Sequence, residues 1–348
     1  MSRILSGIRP SGELHLGNYL GAIKQWIDLQ HDHETYFMVA DLHAITTSFD
    51  PKTLPDDIQN VILDYLAAGL DPETATLFVQ SQNPVHSELM WLLNTITPVG
   101  ELQRMVQFKE KSAANKESNN AGILNYPILM AADILAYKAE KVPVGDDQGQ
   151  HVELARDLAK KFNRLFGQTF PEPQAIHGLG RRIMDLTNPE QKMSKSMAGG
   201  IGLNDSEEEI NKKLQKAVTG AEPGMIRQAK NMAEAAEKGA HMEWARDANL
   251  QKQAHGVRNL FTILFALGEK PEIEKWKMAA EEGKLQFSEF KPALAKIIAD
   301  HFAPFREKRA KFLKKPKVVA EIIADGNKKA RHEAEKTLAE AQQKMGLR

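Results

Sequence analysis

Residues 3–18 read RILSGIRPSGELHLGN, and the next stretch, residues 19–29, reads YLGAIKQWIDL. The first six of these residues are typical of a buried strand, and the apolar spacing of residues 19–29 is typical of a helix. The turn between them gathers free backbone N–H groups and the positive end of a helix dipole, which favours a bound phosphate. Gly17 leaves room for a ligand to approach the backbone closely. The stretch therefore predicts a strand, a phosphate-binding turn and a helix.

Strand-like and helix-like stretches alternate through the first half of the chain. The expected elements are, in order, strands at residues 3–8 and 36–40, a helix at 54–68, and strands at 76–79 and 142–144. This rhythm predicts an α/β fold, in which a parallel sheet carries helices on both faces. Ligands of such sheets bind at the carboxyl ends of the strands. The sequence places His15 at that edge, together with Asp41, His43 and residues 145–148.

A second segment reads KMSKS at residues 192–196. Its two lysines lie three residues apart, and the glycine-rich stretch at residues 198–202 allows the segment to move as a loop. Lysines on such a loop can close over a triphosphate. Alone, a turn of the His-x-Gly-Asn type is more often an ordinary helix start, and a lysine–serine run is more often a solvated loop. The two segments together, each in the setting that its chemistry needs, predict an ATP site.

These two segments resemble the paired ATP signatures of the class I aminoacyl-tRNA synthetases. The resemblance implies a Rossmann-like parallel-sheet nucleotide-binding domain. It also implies that His15, Lys192 and Lys195 are catalytic residues, which stabilise charge on the phosphates of ATP together with Mg²⁺. No structural metal is expected, because the chain has no cysteine and its 11 histidines include no His-Glu-x-x-His pair. The lack of cysteine also excludes disulfides and a cysteine nucleophile.

Three regions are expected along the chain. Residues 1–190 form the Rossmann-like catalytic domain, in which about 84–140 are a helical insertion and 183–186 are the last strand. Residues 191–203 form the mobile KMSKS loop. From residue 204 to 348 the composition favours helices without a clear strand, which predicts an all-helical domain for tRNA and anticodon recognition.

Charge is balanced over the whole chain of 348 residues, with 46 Lys and Arg against 46 Asp and Glu. A nucleic-acid surface must therefore be sought locally. Residues 306–348 hold 13 basic and 6 acidic side chains, an excess that suits tRNA binding and equally a solvated helical face. Residues 229–253 are rich in Ala, Glu and Lys, and we expect an exposed helical insertion there. The sequence contains no long apolar run and no export leader, so a cytoplasmic protein without membrane contact is expected.

The stretch PILMAADILAY at residues 127–137 is apolar nearly all round except for Asp133. It predicts a buried helix over residues 127–140 that begins at its proline, and a buried carboxylate needs a partner. If the helix includes Tyr126, that residue, Met130 and Asp133 share one face. An aromatic wall, a polarizable filler and one acceptor suit a flat apolar group with a single N–H, such as an indole. The alternative is a carboxylate that pairs with a buried Lys or Arg, or that caps a neighbouring backbone.

Longer segments resemble bacterial tryptophanyl-tRNA synthetases. They are residues 6–12, 100–109, 129–135, 143–157 and 216–219. The resemblance implies ATP-dependent activation of L-tryptophan, its transfer to tRNA(Trp), and a homodimer joined through the helices after Pro84. The implied tryptophan-binding residues are Tyr126, Met130, Asp133, Gln148 and His43, of which Asp133 receives the indole N–H. The implied ATP-binding residues are Arg9, Pro10, Ser11, Gly17, Asn18, Gly145, Asp146, Asp147, Ile183, Lys192, Met193, Ser194, Lys195 and Ser196.

Two positions and one segment depart from the bacterial pattern. Arg9 and Leu42 stand where glutamines are usual, and residues 229–253 match nothing in that pattern. Arg9 adds a positive charge that can reach a phosphate. Three other functions stay open at this point. A tyrosyl-tRNA synthetase would arrange its pocket for a phenol hydroxyl, and small-molecule adenylyltransferases are generally shorter chains. A non-catalytic tRNA-binding paralogue is disfavoured by the presence of His15, Gly17 and both loop lysines.

Overall fold

The structure is a computed structural model of the chain. It describes residues 1–106, 120–145, 148–177, 182–194, 199–220, 223–238 and 248–348. Contacts group the chain into two compact units. Unit 1 comprises Met1–Gly12, Gln25–Gly178 and Lys311–Arg348, and unit 2 comprises Glu13–Lys24 and Leu179–Ala310.

Unit 1 contains one sheet. Its strands are β1 (Arg3–Ile8), β2 (Glu34–Val39), β3 (Ala75–Val79), β4 (Lys141–Val144) and β5 (Gln174–His177). They lie in the order β3-β2-β1-β4-β5, and every neighbouring pair is parallel. The predicted parallel sheet and its Rossmann-like α/β fold are therefore confirmed. All five strands point their carboxyl ends to one edge.

The last strand of the sheet is expected at residues 183–186. This expectation is wrong, because the fifth strand of the sheet is β5 and residues 183–186 are not part of the sheet. Residues 183–186 belong to unit 2, where Met184 forms an isolated antiparallel bridge with Lys192. The side chain of Asn259, rather than a further strand, binds the other edge of Met184. Ile183 and Leu186 are buried as a strand would bury them, so the apolar pattern alone could not separate the two cases.

Helices surround the sheet and build unit 2. The helix α1 consists of the consecutive segments Leu16–Asn18, the π-helical Tyr19–Ile23 and Lys24–Leu29. The helices that follow are α2 (Asp41–Ala44), α3 (Leu54–Ala68), α4 (Val85–Asn94), α5 (Val99–Arg104), α6 (Ala121–Ala136) and α7 (Gly149–Phe166). The remaining helices are α8 (Glu207–Gln215), α9 (Pro223–Lys238), α10 (Ala248–Leu267), α11 (Lys270–Glu281), α12 (Phe287–His301), α13 (Ala303–Leu313) and α14 (Pro316–Lys344). No helix among the described residues is long and apolar enough to cross a membrane.

The central strands approach each other closely at Gly7. A Cβ at this position would lie 2.6 Å from Met38 Cγ and 2.8 Å from the Met38 carbonyl oxygen, so a side chain does not fit. The buried Tyr65 hydroxyl of α3 donates to Met38 O at 3.0 Å and accepts from Ile8 N at 3.0 Å. One hydroxyl thus joins β1 to β2 where the strands end and the turn at Arg9 begins.

The buried helix predicted over residues 127–140 exists, but its ends differ. The helix α6 begins at Ala121, so Pro127 lies inside it rather than at its start. The side chain of Asn120 caps the helix by accepting from Ile123 N at 3.1 Å. The preference of proline for the first turn therefore misled the prediction. Because the helix includes Tyr126, the residues Tyr126, Met130 and Asp133 share one helix face, as the sequence analysis expects.

Of the insertion expected at residues 229–253, the described residues 229–238 and 248–253 are helical as expected, but the exposure expected for 229–238 is wrong. The helix α9 packs against α10 and α11. Its buried residues are Ala229, Met232, Ala233, Ala235 and Ala236. A stripe of alanines contributes little to an apolar pattern, yet it allows helices to pack closely, and this is why the sequence suggested exposure.

The last helix, α14, packs on β3, an edge strand of the sheet. A Cβ at Gly326 would lie 1.8 Å from Leu77 O, so the helix backbone touches the strand directly. The side chain of Asn327 accepts from Val79 N at 2.9 Å and so satisfies a donor of that edge. Contacts therefore group Lys311–Arg348 with the sheet, whereas the sequence analysis places residues 204–348 together. The function expected for the helical region, tRNA recognition, stays a prediction.

Candidate functional site

The two segments of the expected ATP site meet within unit 2. His15 forms an antiparallel bridge with Gly202, flanked by a hydrogen bond from Leu16 N to Ile201 O of 2.8 Å. A Cβ at Gly17 would lie 3.0 Å from the His15 ring and 3.5 Å from Met193 Cβ. Gly17 therefore makes room for the His15 ring, besides any room that it leaves for a ligand, whereas a Cβ would only touch the lysine segment.

The turn residue Asn18 has a structural role. Its side-chain oxygen accepts from His15 N at 3.1 Å, and its own N–H donates to His15 O at 2.8 Å. These two bonds close the first turn of α1. The position of His15 is thus fixed by the residue that follows Gly17.

The lysine segment is one arm of a short ribbon. Met193 N donates to Ile183 O at 3.0 Å, and Asp185 N donates to Gln191 O at 2.9 Å. Lys192 is exposed on this arm, and Ser194 follows a buried Met193. The expected ATP-binding residues Lys195 and Ser196 lie outside the described residues.

Other expected ATP-binding residues follow β1 and β4, which are neighbours in the sheet. Arg9 and Ser11 are exposed directly after β1, and a bond from Ser11 N to Arg9 O of 2.8 Å closes a tight turn around the buried Pro10. Gly145 is exposed directly after β4, and its carbonyl accepts from Gln148 N at 2.9 Å. Both turns lie at the carboxyl edge, where ligands of parallel sheets bind. Asp146 and Asp147 lie outside the described residues.

Asp133 is fully buried, and three side chains donate to its carboxylate. His43 Nε2 lies 2.7 Å from Oδ2. His86 Nδ1 lies 2.7 Å from Oδ1, and Gln80 Nε2 donates to the same oxygen at 2.8 Å. Among the residues that the structure describes, the partners are histidines and an amide, not the lysine or arginine of the alternative interpretation.

A second set of bonds supports His86 from behind. Asn83 Nδ2 donates to the Tyr137 hydroxyl at 3.0 Å, and that hydroxyl lies 2.9 Å from His86 Nε2. Since Tyr137 accepts from Asn83, its own proton donates to Nε2. This arrangement assigns the His86 proton to Nδ1, which faces Asp133. All four side chains are buried or nearly so.

The charge of Asp133 follows from these contacts. Burial alone would raise the pKa of Asp133, but its electrostatic interactions and hydrogen bonds with His43 and His86 outweigh burial and lower the pKa to about 2. The group is therefore a carboxylate at neutral pH. Of its roughly four acceptor positions, Oδ1 uses two and Oδ2 uses one. Counting the contacts of the described residues, one acceptor position remains on Oδ2, on the side of His43.

Two more expected tryptophan-binding residues lie next to this carboxylate. The Tyr126 ring packs edge-on against the His43 ring, with 6.3 Å between centroids. Its hydroxyl lies 3.0 Å from His151 Nε2, in the first turn of α7. Met130 is partly buried one turn before Asp133 on α6. Gln148 immediately precedes α7.

A model of one protein family matches residues 1–303 of the chain, and its description is tRNA synthetases class I (W and Y). The chain belongs to this family. The family match includes the turn at His15, the Asp133 network and the ribbon that carries Lys192. The predicted membership of the class I aminoacyl-tRNA synthetases is confirmed.

Relatives of this class I synthetase cover nearly its whole length. The "Tryptophan--tRNA ligase" of Clostridium perfringens is 43% identical over 348 residues, which are 99% of this chain and 97% of that protein. A crystal structure of tryptophanyl-tRNA synthetase from Campylobacter jejuni, complexed with ADP and tryptophan, matches with a TM-score of 0.81 at 33% identity and covers 99% of this chain and 100% of its own. The structure of the Mycoplasma pneumoniae enzyme matches with a TM-score of 0.82 at 35% identity, over 100% and 98% of the two chains. The resemblance to bacterial tryptophanyl-tRNA synthetases is confirmed.

Sequence reasoning missed part of the synthetase site. The missed residues are Gln80, Asn83, His86, Tyr137 and His151. Three of them follow β3, so the rule that placed candidates after β1, β2 and β4 would have found them if applied to β3. Tyr137 lies four residues after Asp133, one helical turn away. Among the described residues, no three His, Asp or Glu are grouped to hold a metal ion.

Proposed function

We propose that this class I synthetase is a tryptophan–tRNA ligase. It activates L-tryptophan with ATP and transfers the tryptophanyl group to tRNA(Trp). The observation that carries the proposal is the buried carboxylate of Asp133, which is ionised, is fixed by three donors and retains one acceptor position. The names of the full-length relatives support the same substrate.

Substrate selection follows from that acceptor position. The indole N–H of tryptophan donates to Asp133 Oδ2, beside His43, while Tyr126 and Met130 contact the ring. Phenylalanine has no N–H to offer and leaves a buried charge short of a donor. Sites built around such a bond reject analogues that lack the donor by roughly 10⁴- to 10⁵-fold. Gln148, which immediately precedes α7, holds the amino group together with the Tyr126 hydroxyl.

The first chemical step forms tryptophanyl-adenylate. A carboxylate oxygen of tryptophan attacks the α-phosphorus of ATP, the bond from that phosphorus to the bridging oxygen breaks, and pyrophosphate leaves. Such a reaction needs alignment and charge neutralisation more than covalent help from the protein. His15, Lys192 and Lys195 supply positive charge and hydrogen bonds to the phosphates, and Mg²⁺ enters with ATP as part of the substrate.

The remaining ATP contacts lie in two groups of residues. Those that follow β1 and β4 are Arg9, Pro10, Ser11, Gly145, Asp146 and Asp147. Those of the turn and the ribbon are Gly17, Asn18, Ile183, Met193, Ser194 and Ser196. Exposed backbone after β1 and β4, at the ligand-binding edge of the sheet, supports the first group.

The second step charges the tRNA. A ribose hydroxyl of the terminal adenosine attacks the tryptophanyl carbonyl carbon, the bond to the phosphate oxygen breaks, and AMP leaves. Exposed lysines near the start of α14 support contacts to tRNA phosphates, since such contacts position a nucleic acid without reading its bases. They are Lys311, Lys314, Lys315 and Lys317. Protein synthesis consumes the product, so a cytoplasmic location belongs to the same proposal.

A homodimer completes the proposal. Several large apolar side chains of unit 1 are exposed, and they are Ile45, Phe49, Trp91, Val99 and Val106. Ile45 and Met90, which precedes Trp91 on α4, also line an open cavity of about 320 Å³. Contiguous patches of exposed apolar side chains mark protein interfaces, and we infer that these side chains contribute to one. The mass of the protein in solution, measured by light scattering, tests whether it is a dimer.

Amino-acid-dependent exchange of labelled pyrophosphate into ATP tests the catalytic proposal. Tryptophan, tyrosine and phenylalanine are assayed in parallel with the full chain and Mg-ATP. We expect exchange with tryptophan alone, followed by charging of tRNA(Trp). Exchange with tyrosine would indicate a tyrosyl-tRNA synthetase, and no exchange with any of the three would overturn the proposal.

A further inference from the structure

The arm at residues 183–186 has two hydrogen-bonding edges. The inner edge faces the arm that carries Lys192, through the bonds of Ile183 and Asp185 described above. Asp185 also fixes the turn between the arms, because its Oδ1 accepts from Thr187 N at 2.8 Å and from Asn188 N at 2.9 Å. The inner edge is thus closed by the ribbon itself.

The outer edge is closed by a side chain of α10. Asn259 Oδ1 accepts from Met184 N at 2.9 Å, and Asn259 Nδ2 donates to Met184 O at 2.8 Å. Asn259 is only 3% exposed. Its amide therefore binds both backbone groups of Met184, as a neighbouring strand would, directly opposite the bridge to Lys192.

The next outward-facing residue, Leu186, is bound to the same helix through a third segment. Leu186 O accepts from Val218 N at 2.8 Å. A Cβ at Gly256 would lie 1.8 Å from Val218 O, so α10 touches this segment with bare backbone. Gly256 and Asn259 are three residues apart and share one face of α10. The Nζ of the buried Lys291 donates to Ala217 O at 3.0 Å and holds the segment from its other side.

We propose that Asn259 is a positioning residue for Lys192, and that Gly256 assists it. The face of α10 formed by these two residues sets the place of the ribbon, and the ribbon sets the place of the Lys192 ammonium against the phosphates of ATP. Residues 216–219, which the sequence analysis identified without a role, are the spacer between α10 and Leu186. This inference rests on the proposed function, in which Lys192 stabilises charge during adenylate formation.

The first test removes the amide and keeps its size. In Asn259→Leu, both backbone groups of Met184 lose their partners. We expect hydrogen exchange of the Met184 amide to accelerate at least tenfold. Thr262→Val is the matched control, because Thr262 is 5% exposed on the same helix and its hydroxyl bonds only the helix carbonyl of Arg258 among the described contacts. The control should leave exchange at Met184 unchanged.

The second test separates positioning from folding. A displacement of about 1 Å at a reacting group can cost roughly 100-fold in rate, so we expect kcat of ATP–pyrophosphate exchange to fall 10- to 100-fold in Asn259→Leu. The dissociation constant of tryptophan, measured by equilibrium dialysis, should stay within twofold. Gly256→Ala should likewise lower kcat and leave the dissociation constant of tryptophan unchanged. If Asn259→Leu fails to fold, Gly256→Ala tests the positioning role in its place.

Two results would overturn the inference. One is wild-type kcat in folded Asn259→Leu and in folded Gly256→Ala. The other is an equal loss of kcat and tryptophan affinity, which marks a general structural defect. If the wild-type protein exchanges pyrophosphate with no amino acid, the proposed function fails instead. Hydrogen exchange at Met184 then still decides whether Asn259 holds the ribbon.

Discussion

His86 Nδ1 and Asp133 Oδ1 lie 2.7 Å apart in a site where both side chains are fully buried. Their separation in the chain is 47 residues, so the contact depends on the packing of α4 against α6. Through His86 the carboxylate is linked to Tyr137 and Asn83. The carboxylate is therefore held by a chain of bonds, and that chain gives predictions for residues that do not touch a substrate.

Tyr137→Phe tests the support behind His86. The change leaves His86 Nε2 and the Asn83 amide buried without their partner, which should lower the free energy of unfolding by about 1–3 kcal/mol. The affinity for tryptophan should fall as well, because His86 loses the bond that fixes its proton on Nδ1. Urea unfolding and equilibrium dialysis measure the two effects.

Tyr36→Phe is the matched control. The Tyr36 ring stacks on Tyr137 with 4.7 Å between centroids, but its hydroxyl donates to Glu34, whose side chain is 43% exposed. Water can replace that bond, so we expect a smaller loss of stability and unchanged tryptophan affinity. Equal effects of the two substitutions would contradict the role given to the Tyr137 hydroxyl.

The pH dependence of the free energy of unfolding should reveal the titration of Asp133. Because its pKa is about 2 in the folded protein, below the 3.8 that is usual for an aspartate, the ionised group stabilises the fold above about pH 4 and loses this contribution as the pH falls toward 2. The full contribution is about 2 kcal/mol, of which about 1 kcal/mol is lost by pH 3.

Asp133→Asn removes this titration. The difference in unfolding free energy between wild type and Asp133→Asn should shrink by about 1 kcal/mol from pH 6 to pH 3. His43, His86 and Tyr137 face the same carboxylate and are retained in both proteins. A difference that is constant over this range would show that the Asp133 pKa is not lowered by folding.

Gly326→Ala tests the contact between α14 and the sheet edge. The added Cβ would collide with Leu77 O at 1.8 Å, and a backbone carbonyl cannot move aside as a side chain can. We expect destabilisation of at least about 1–3 kcal/mol. Gly100→Ala is the control, since its Cβ would only touch the Arg104 side chain at 3.5 Å. Thermal unfolding should leave this control as stable as wild type, and an equally mild effect at Gly326 would contradict the packing.

Lys192→Ala should affect rate rather than tryptophan affinity. Removal of a charge that stabilises the transition state costs roughly 100- to 1,000-fold in kcat. The tryptophan dissociation constant should stay within twofold. Lys212→Ala is the control, because Lys212 is exposed and pairs with Glu208 on the surface of α8. Parallel losses of kcat and tryptophan affinity in Lys192→Ala would exclude the proposed role.

The sequence was sufficient for the elements whose pattern is local. The strand β1 and the helix α3 have the predicted bounds, since each carries its own apolar periodicity. The sequence was not sufficient where a local pattern is compatible with two different structures. Ile183–Leu186 looks like a strand, but its outer edge is closed by the distant Asn259, and the alanines of α9 are buried because α10 and α11 lie beside them.

The candidate site shows the same difference between what a local pattern predicts and what depends on distant contacts. Asp133 stands out as a charge in an apolar helix, so the sequence alone could identify it. Its donors come from α2, from the residues after β3 and from α4, between 47 and 90 residues away in the chain. No local pattern gives such contacts, and for this reason the alternative of a lysine or arginine partner could be excluded only by the structure.

The most direct test of the account asks whether Asp133 recognises tryptophan by accepting the indole N–H. We would measure kcat/KM of ATP–pyrophosphate exchange with tryptophan and with its benzothienyl analogue, in which sulfur replaces the ring nitrogen, for wild type and Asp133→Ala. The account predicts that wild type prefers tryptophan strongly, by up to roughly 10⁴- to 10⁵-fold, and that Asp133→Ala loses most of this preference. An equal preference in both proteins would contradict it.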